Sequence, residues 1–333
     1  MHPSEVLFQG KRQPLLLAAC DHYAGSEKLM RKSIALQQEL GPLFDITFDC
    51  EDGASAGNEE AHAQLVASLI ASDANAFNRI GVRVHDVDSP FFARDVEIIC
   101  AAAAQRLAYI AVPKVGGVQD AMLAIDLINL HAKRAGRDNL PVHILIETHG
   151  ALHDAYAIAA LPQVECMSFG IMDFVSSHYG AVPAAAMRTP GQFTHPLVVR
   201  AKLEVASACH AHGKVASHNV TTDVRDSAVV ANDAQRATAE FGYTRMWSIH
   251  PDQIKPIIKA FTPRLSEVNE ATNILTEAQR AHWGPIAQNG RLHDRASYRY
   301  YWTVLQRARL AGLGLPEAAV ALLNPPDTSS TEN

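Results

Sequence analysis

"YIAVPKV" (residues 109–115), "DAMLAIDLINLHAKRAG" (120–136) and "VHILIET" (142–148) follow one another as an apolar run, a helix-like stretch and a second apolar run. An apolar strand, a helix and another strand read as one βαβ unit, which implies parallel pairing. The same rhythm extends in both directions. Further strand-like runs are "LLLAAC" (15–20), "DITFDCE" (45–51), "GVRVH" (81–85), "CMSFGIMD" (166–173), "KVASHNV" (214–220) and "RMWSIHP" (245–251). Helix-like segments such as "SEKLMRKSIALQQEL" and "HPLVVRAKLEVASACHAHG" lie between them. We take the strands as continuously apolar, as expected when both faces are covered.

About eight such units in about 250 residues predict a (β/α)₈ TIM barrel over residues 11–261. The rival, a doubly wound open sheet, lacks its Gly-x-Gly-x-x-Gly after the first strand. Past Phe261 the rhythm changes. "PRLSEVNEATNILTEAQRAHW" and "DRASYRYYWTVLQRARLAG" read as two helices with no strand between them, a C-terminal extension over 262–324. The tail 325–333 reads as disordered. "SEVLFQG" (4–10) resembles a protease-cleavage tag and is given no part in the fold.

The chain has 333 residues, 48% hydrophobic and 19% charged, with a formal net charge of -6. This is an ordinary soluble composition with no basic run, so nucleic acid and membrane surfaces are not expected partners. Five scattered cysteines without zinc-type spacing point to free thiols and a cytoplasmic protein. No apolar run approaches a membrane span.

Active residues of such barrels project from the C-terminal ends of the strands. The polar residues there are Asp49, Glu51, Asp52, Arg83, His85, Lys114, Glu147, Asp173, His218, Asn219 and His250. Acids and bases converging on one rim suit an anionic substrate together with a cation. Glu147 and Asp173 end adjacent strands, and two carboxylates completed by water suit Mg²⁺. Alternatively, each acid caps the helix that follows it. Arg83 can clamp a carboxylate, or form a structural ion pair with Glu51 or Asp52. His210 and His212 sit at a helix C-terminus and read as structural.

In order, "FDCEDG", "VRVHDVDSPFFARDVE", "VPKV", "ILIETHGAL", "SFGIMDF", "SIHPDQI" and "GRLHD" resemble the motifs of the citrate lyase β-subunit-like group of the HpcH/HpaI aldolase superfamily. The resemblance runs from about Leu15 to about Leu310. It implies a Mg²⁺-dependent carbon–carbon lyase. Such an enzyme cleaves or forms a 3-hydroxyacyl-CoA (citryl-, malyl- or citramalyl-CoA), with an acyl-CoA and a 2-oxo acid (oxaloacetate, glyoxylate or pyruvate) as the other side of the reaction. By motif, Glu147 and Asp173 correspond to the metal carboxylates. Arg83, with Gly170 and Lys114, corresponds to substrate-binding residues, and Glu51 and Asp52 to acids at the pocket edge. Asp294, in "GRLHD", corresponds to a lid acid that reaches a neighbouring subunit, which implies a homo-oligomer, a trimer or hexamer. Three places depart from the family pattern. "CDHYAGSEKL" replaces a Pro-Gly turn near the acyl-CoA site and puts Asp21 there, His85 replaces an Asn, and His218 replaces an acid. The alternatives they leave are a CoA-independent aldolase releasing pyruvate or oxaloacetate, and a non-catalytic binding subunit.

Overall fold

The computed structural model describes residues 2–10, 13–54, 56–224 and 226–324. The predicted disordered tail, 325–333, lies outside them. Eight strands close into a parallel barrel in sequence order. They are β1 (Cys20–Ala24), β2 (Asp45–Asp49), β3 (Ile80–Arg83), β4 (Leu107–Val112), β5 (Val142–Ile146), β6 (Val164–Phe169), β7 (Val215–His218) and β8 (Arg245–Ser248). The helices are α1 (Pro3–Phe8), α2 (Glu27–Leu40), α3 (Glu59–Ala71), α4 (Phe92–Ala103), α5 (Val118–Arg134), α6 (His149–His153), α7 (Ala155–Ala160), α8 (Ile171–Ser176), α9 (Pro196–Ala211), α10 (Ser227–Phe241), α11 (Pro251–Phe261), α12 (Leu265–Arg280), α13 (Arg295–Leu310) and α14 (Glu317–Leu323). No helix among the described residues is long and apolar enough to cross a membrane. All five cysteines are buried and unpaired.

The strands are not continuously apolar, contrary to the sequence expectation. They alternate. In β2, Ile46 and Phe48 face the helices as part of the main core, while Asp45, Thr47 and Asp49 are buried within the barrel. The first strand likewise begins at Cys20, not at Leu15. It alternates from there, with Cys20 and Ala24 in the main core.

The barrel interior is therefore charged and must be neutralised from within. Arg245, fully buried on β8, pairs with Asp45 and lies 3.1 Å from Asp21 Oδ2. Thr47 and Tyr109 donate to the other Asp21 oxygen at 2.7 and 2.9 Å. The sequence expectation placed Asp21 beside an acyl-CoA site as an unfavourable charge. Alternation instead turns it into the barrel, where it serves Arg245. Above this ionic layer, Tyr23, Ala111, Leu145, Val220 and Trp247 form a small apolar cluster apart from the main core.

The chain divides into two compact units. One is Leu17–Phe261, the barrel with α2–α11. The other joins Met1–Leu16 to Thr262–Asn333. In the second unit, α12 and α13 are separated by a short antiparallel hairpin, β9 (Ile286–Gln288) and β10 (Arg291–His293), where no strand was expected. Three-residue strands with mostly exposed side chains carry too little periodicity to be read. The tag-like stretch also proves structural. Its residues build most of α1, and Val6, Leu7 and Phe8 are buried with Leu275, Trp302 and Leu305 in this unit's own core.

Leu7 is 1% exposed, so Leu7→Ala leaves a cavity there. We expect it to lower the stability of this unit by about 2–4 kcal/mol in chemical denaturation. An unchanged midpoint would show that α1 contributes no core.

Candidate functional site

The site is built on the alternation of β2 and β3. Asp49 and Arg83 are register partners, and both side chains are turned inward. Arg83 Nε and Nη2 donate to the two Asp49 oxygens at 2.8 and 2.6 Å, a bidentate pair that holds the guanidinium flat. Asp49 also accepts from the backbone N–H of Glu51 (3.1 Å) and of Gly53 (2.9 Å). A Cβ at position 53 would fall 2.2 Å from Asp49 Oδ2, so only glycine lets the loop close on this carboxylate. Glu51 Oε2 lies 3.1 Å from Arg83 Nη1. Of the five guanidinium N–H groups, these contacts use three and leave two. Burial works against the Arg83 charge, but the Asp49 carboxylate and its hydrogen bonds, with Glu51, hold its pKa above the ordinary value.

Lys114 ties this cluster to the next. Its ammonium bridges Glu51 and Asp52, the latter at 2.9 Å. Its backbone adopts a left-handed φ of 52°, uncommon for a side chain of this size, and its N–H donates to Glu147 Oε1 at 2.8 Å. Glu147 follows β5 and is 2% exposed. It does not cap α6, because Thr148 accepts from Ala151 N and does so itself. Its other oxygen faces Gly170, where a Cβ would come within 2.0 Å. Asp173 does not end β6, as the sequence predicted, but lies four residues past it in the first turn of α8, half-buried, and its carboxylate makes no hydrogen bond or ion pair among the described residues. Burial first, and the Asp173 charge second, push the Glu147 carboxyl up to about 7.

Two carboxylates whose nearby cations, Arg83 and Lys114, are already committed to other acids form an anionic spot that a hard cation would relieve. The donors are all oxygen, and no group of three or more His, Cys, Asp or Glu among the described residues makes a cage. That pattern fits Mg²⁺, which takes one or two carboxylates and keeps its waters, and does not fit zinc.

Most of these side chains line one cavity of about 410 Å³ at the barrel mouth, whereas Glu51 and Lys114 line a neighbouring one. Arg83, Asp49, Asp52, Glu147, Gly170 and Asp173 line one part of it, and Tyr23, Leu29, Val220, Trp247 and Ile249 another. Not every rim candidate is there. His85 is held by Asp95 (Nδ1 to Oδ2 2.6 Å) and lines a neighbouring cavity. His218 is turned out of the barrel, with Nε2 2.8 Å from the buried Lys202 Nζ. His250 is partly exposed, and Ile249 lines the cavity instead. Asn219 does line the cavity. Asp294 belongs to the other unit, where its side chain accepts from Ala296 N and Ser297 N as the N-cap of α13. Sequence reasoning placed Asp49 at the rim but named Glu51 or Asp52 as the ion-pair partner of Arg83, whereas Asp49 is the main one. The alternation Asp45-Ile-Thr-Phe-Asp49 was the available signal.

Residues 41–251 match the model of the HpcH/HpaI aldolase/citrate lyase family. A crystal structure described as a citrate lyase from Burkholderia xenovorans is 57% identical, with a TM-score of 0.86, over 97% of this chain and 99% of that one. The L-malyl-CoA/β-methylmalyl-CoA lyase of Cereibacter sphaeroides is 28% identical over 80% of this chain and 87% of its own length. CitE from Mycobacterium tuberculosis, solved with magnesium, acetoacetate and coenzyme A, shares the fold at 22% identity and a TM-score of 0.67, covering 89% of this chain and 98% of that one.

The raised Glu147 pKa has a consequence for stability. Unfolded, the group titrates near 4.5. Between that pH and about 7 the folded protein keeps a proton that the unfolded chain has released, so stability falls as pH rises through this window. The loss reaches about 3 kcal/mol by pH 7 in metal-free protein. Glu147→Gln should abolish this component. Denaturation in chelator at pH 5 and pH 7.5 checks it, and equal pH slopes in both proteins would remove the assignment.

Proposed function

This chain belongs to the HpcH/HpaI aldolase/citrate lyase family and is a carbon–carbon lyase, and from that premise we propose that it cleaves or forms a 3-hydroxyacyl-CoA, with an acyl-CoA and a small 2-oxo acid as the other partners. The observation that carries this reading is the pairing of an immobilised, partly unused guanidinium with an uncompensated carboxylate pair in one cavity. A 2-oxo acid offers a carboxylate and an adjacent carbonyl, which suit those two features.

In this reading Glu147 and Asp173 hold Mg²⁺, which supplies Lewis acidity at the keto oxygen. The two free N–H groups of Arg83 bind the 2-oxo acid and stabilise charge on its reacting oxygen. Asp49 keeps the guanidinium from rotating. Glu51, shared between Arg83 and Lys114, sets the angle of the cluster, and Asp52 is fixed by Lys114 at the cavity edge. Gly170 leaves Glu147 the room to face the ligand. Cleavage removes the proton of the 3-hydroxyl and releases the acyl part as an enolate, which takes up a proton at its α-carbon. The relatives named for malyl-CoA, and the neighbour crystallised with magnesium and coenzyme A, support the thioester over a CoA-free hydroxy-oxo acid. The sequence feature that argued for the CoA-free reaction, the Asp21 charge, is paired inside the barrel.

A cleavage screen of CoA thioesters and free hydroxy-oxo acids, with 2-oxo acid detection, tests this. We expect turnover of a 3-hydroxyacyl-CoA that chelator abolishes and Mg²⁺ restores. Turnover confined to CoA-free substrates rejects the thioester, and full activity in chelator rejects the metal. The lid role of Asp294 is separable. Asp294→Ser retains an N-cap oxygen for α13. It should lower kcat about tenfold or more with Mg²⁺ affinity unchanged; normal turnover rejects that role.

A further inference from the structure

One polar cavity residue that this reading leaves without a task is Tyr23. It stands at the end of β1, in the "CDHYAGSEKL" stretch whose sequence departs from the family pattern. The side chain is 8% exposed and lines the cavity. Its hydroxyl has no hydrogen-bond partner among the described residues. Nor is it one of the sealed polar atoms, so it opens on the cavity. An unpaired phenol in a buried position is unusual, because buried tyrosine hydroxyls generally find partners.

The ring is firmly placed. It stacks on Trp247 with centroids 4.7 Å apart and planes 24° apart, and the Arg83 guanidinium carbon lies 5.4 Å from its centroid. The backbone just beyond is fixed as well. A Cβ on Gly25 would meet Gly53 O at 1.8 Å, so the loops after β1 and β2 are in direct contact. A donor held this way loses little entropy when a ligand accepts from it. Burial first, and the nearby Asp21 charge second, raise the phenol pKa well above its ordinary value, so the proton stays on.

The position also matters. β1 lies four strands from β5 in either direction around the barrel, so Tyr23 faces Glu147 across the mouth. The wall around Tyr23 is Leu29, Val220, Trp247 and Ile249, with no charged side chain among them. The cation nearest the ring, Arg83, packs on its face and is engaged by Asp49 and Glu51, and in the reading above its remaining N–H groups go to the 2-oxo acid. An acyl thioester, apolar apart from one carbonyl oxygen, matches an apolar wall bearing one neutral donor.

We propose that Tyr23 is a catalytic residue whose hydroxyl donates a hydrogen bond to the acyl carbonyl oxygen of the bound thioester, on the side of the cavity opposite the metal acids. The inference rests on the lyase reading above. As the carbon–carbon bond breaks, its electron pair moves into the acyl fragment and charge gathers on that oxygen. The proton leaving the 3-hydroxyl balances the one taken up at the α-carbon. Tyr23 keeps its own proton throughout and stabilises charge that is larger in the transition state than in the substrate.

Tyr23→Phe keeps the stack and removes only the hydroxyl. With Mg²⁺ present, kcat/KM for the 3-hydroxyacyl-CoA should fall roughly 10- to 100-fold, mostly in kcat. Calorimetry should show acetyl-CoA bound several-fold more weakly and pyruvate bound unchanged. Unchanged kcat/KM and acetyl-CoA affinity overturn the proposal, as does an equal loss for pyruvate, which would place the hydroxyl on the oxo-acid side. If the wild-type protein cleaves nothing in the substrate screen, the lyase reading fails by itself. Acetyl-CoA calorimetry then still decides Tyr23: weaker binding by the variant supports the contact, and equal or absent binding in both proteins overturns it.

Discussion

Everything in the cavity is referred to the ion pair between Asp49 and Arg83. A bidentate carboxylate–guanidinium contact fixes both planes at once, which a single hydrogen bond does not. Because Asp49 also takes the amides of Glu51 and Gly53, the same carboxylate shapes the loop that carries Glu51 and Asp52. The arginine is neutralised without being used up. Two of its N–H groups remain, and they are rigidly placed.

The acids at the barrel mouth therefore divide into two kinds. Asp49, Glu51 and Asp52 are matched by Arg83 and Lys114. Glu147 and Asp173 are matched by no cation of their own, and Glu147 responds by holding a proton up to about pH 7. Lys114 touches both sets, with its side chain on one and its amide on the other. That double reach depends on its left-handed backbone, which turns the N–H and the side chain toward different partners. Such backbone strain at a polar centre is typical of sites whose geometry is imposed by their surroundings.

The barrel interior applies the same economy of charge at depth. Arg245 is placed between Asp21 and Asp45 and closes the lower layer. Tyr23, Trp247, Val220, Leu145 and Ala111 cover it with an apolar layer. The cavity thus has charged groups from β2, β3 and β5 and an aromatic face from β1 and β8. A ligand with one anionic half and one weakly polar half is the natural occupant of so divided a space.

Much of this was legible in order along the chain. Eight short runs with helical stretches between them determined the barrel, and strand ends located Arg83 and Glu147, because a parallel barrel presents one end of every strand to one face, while Asp173, read as a strand end, sits in the first turn of α8 beyond β6. The period-2 pattern of "DITFD" also carried the polar interior and the place of Asp49, although its hydrophobic content first read as an unbroken run. Tertiary structure alone decided what could not be local: that Asp49, rather than Glu51, takes the arginine bidentately; that Asp21 serves Arg245; that His218 turns toward Lys202; and that α1 completes the core of a unit formed mostly from the far end of the chain. Local sequence sets which face a side chain leaves from. The identity of the charge it meets depends on register between strands far apart in sequence, and that is fixed only when the barrel closes.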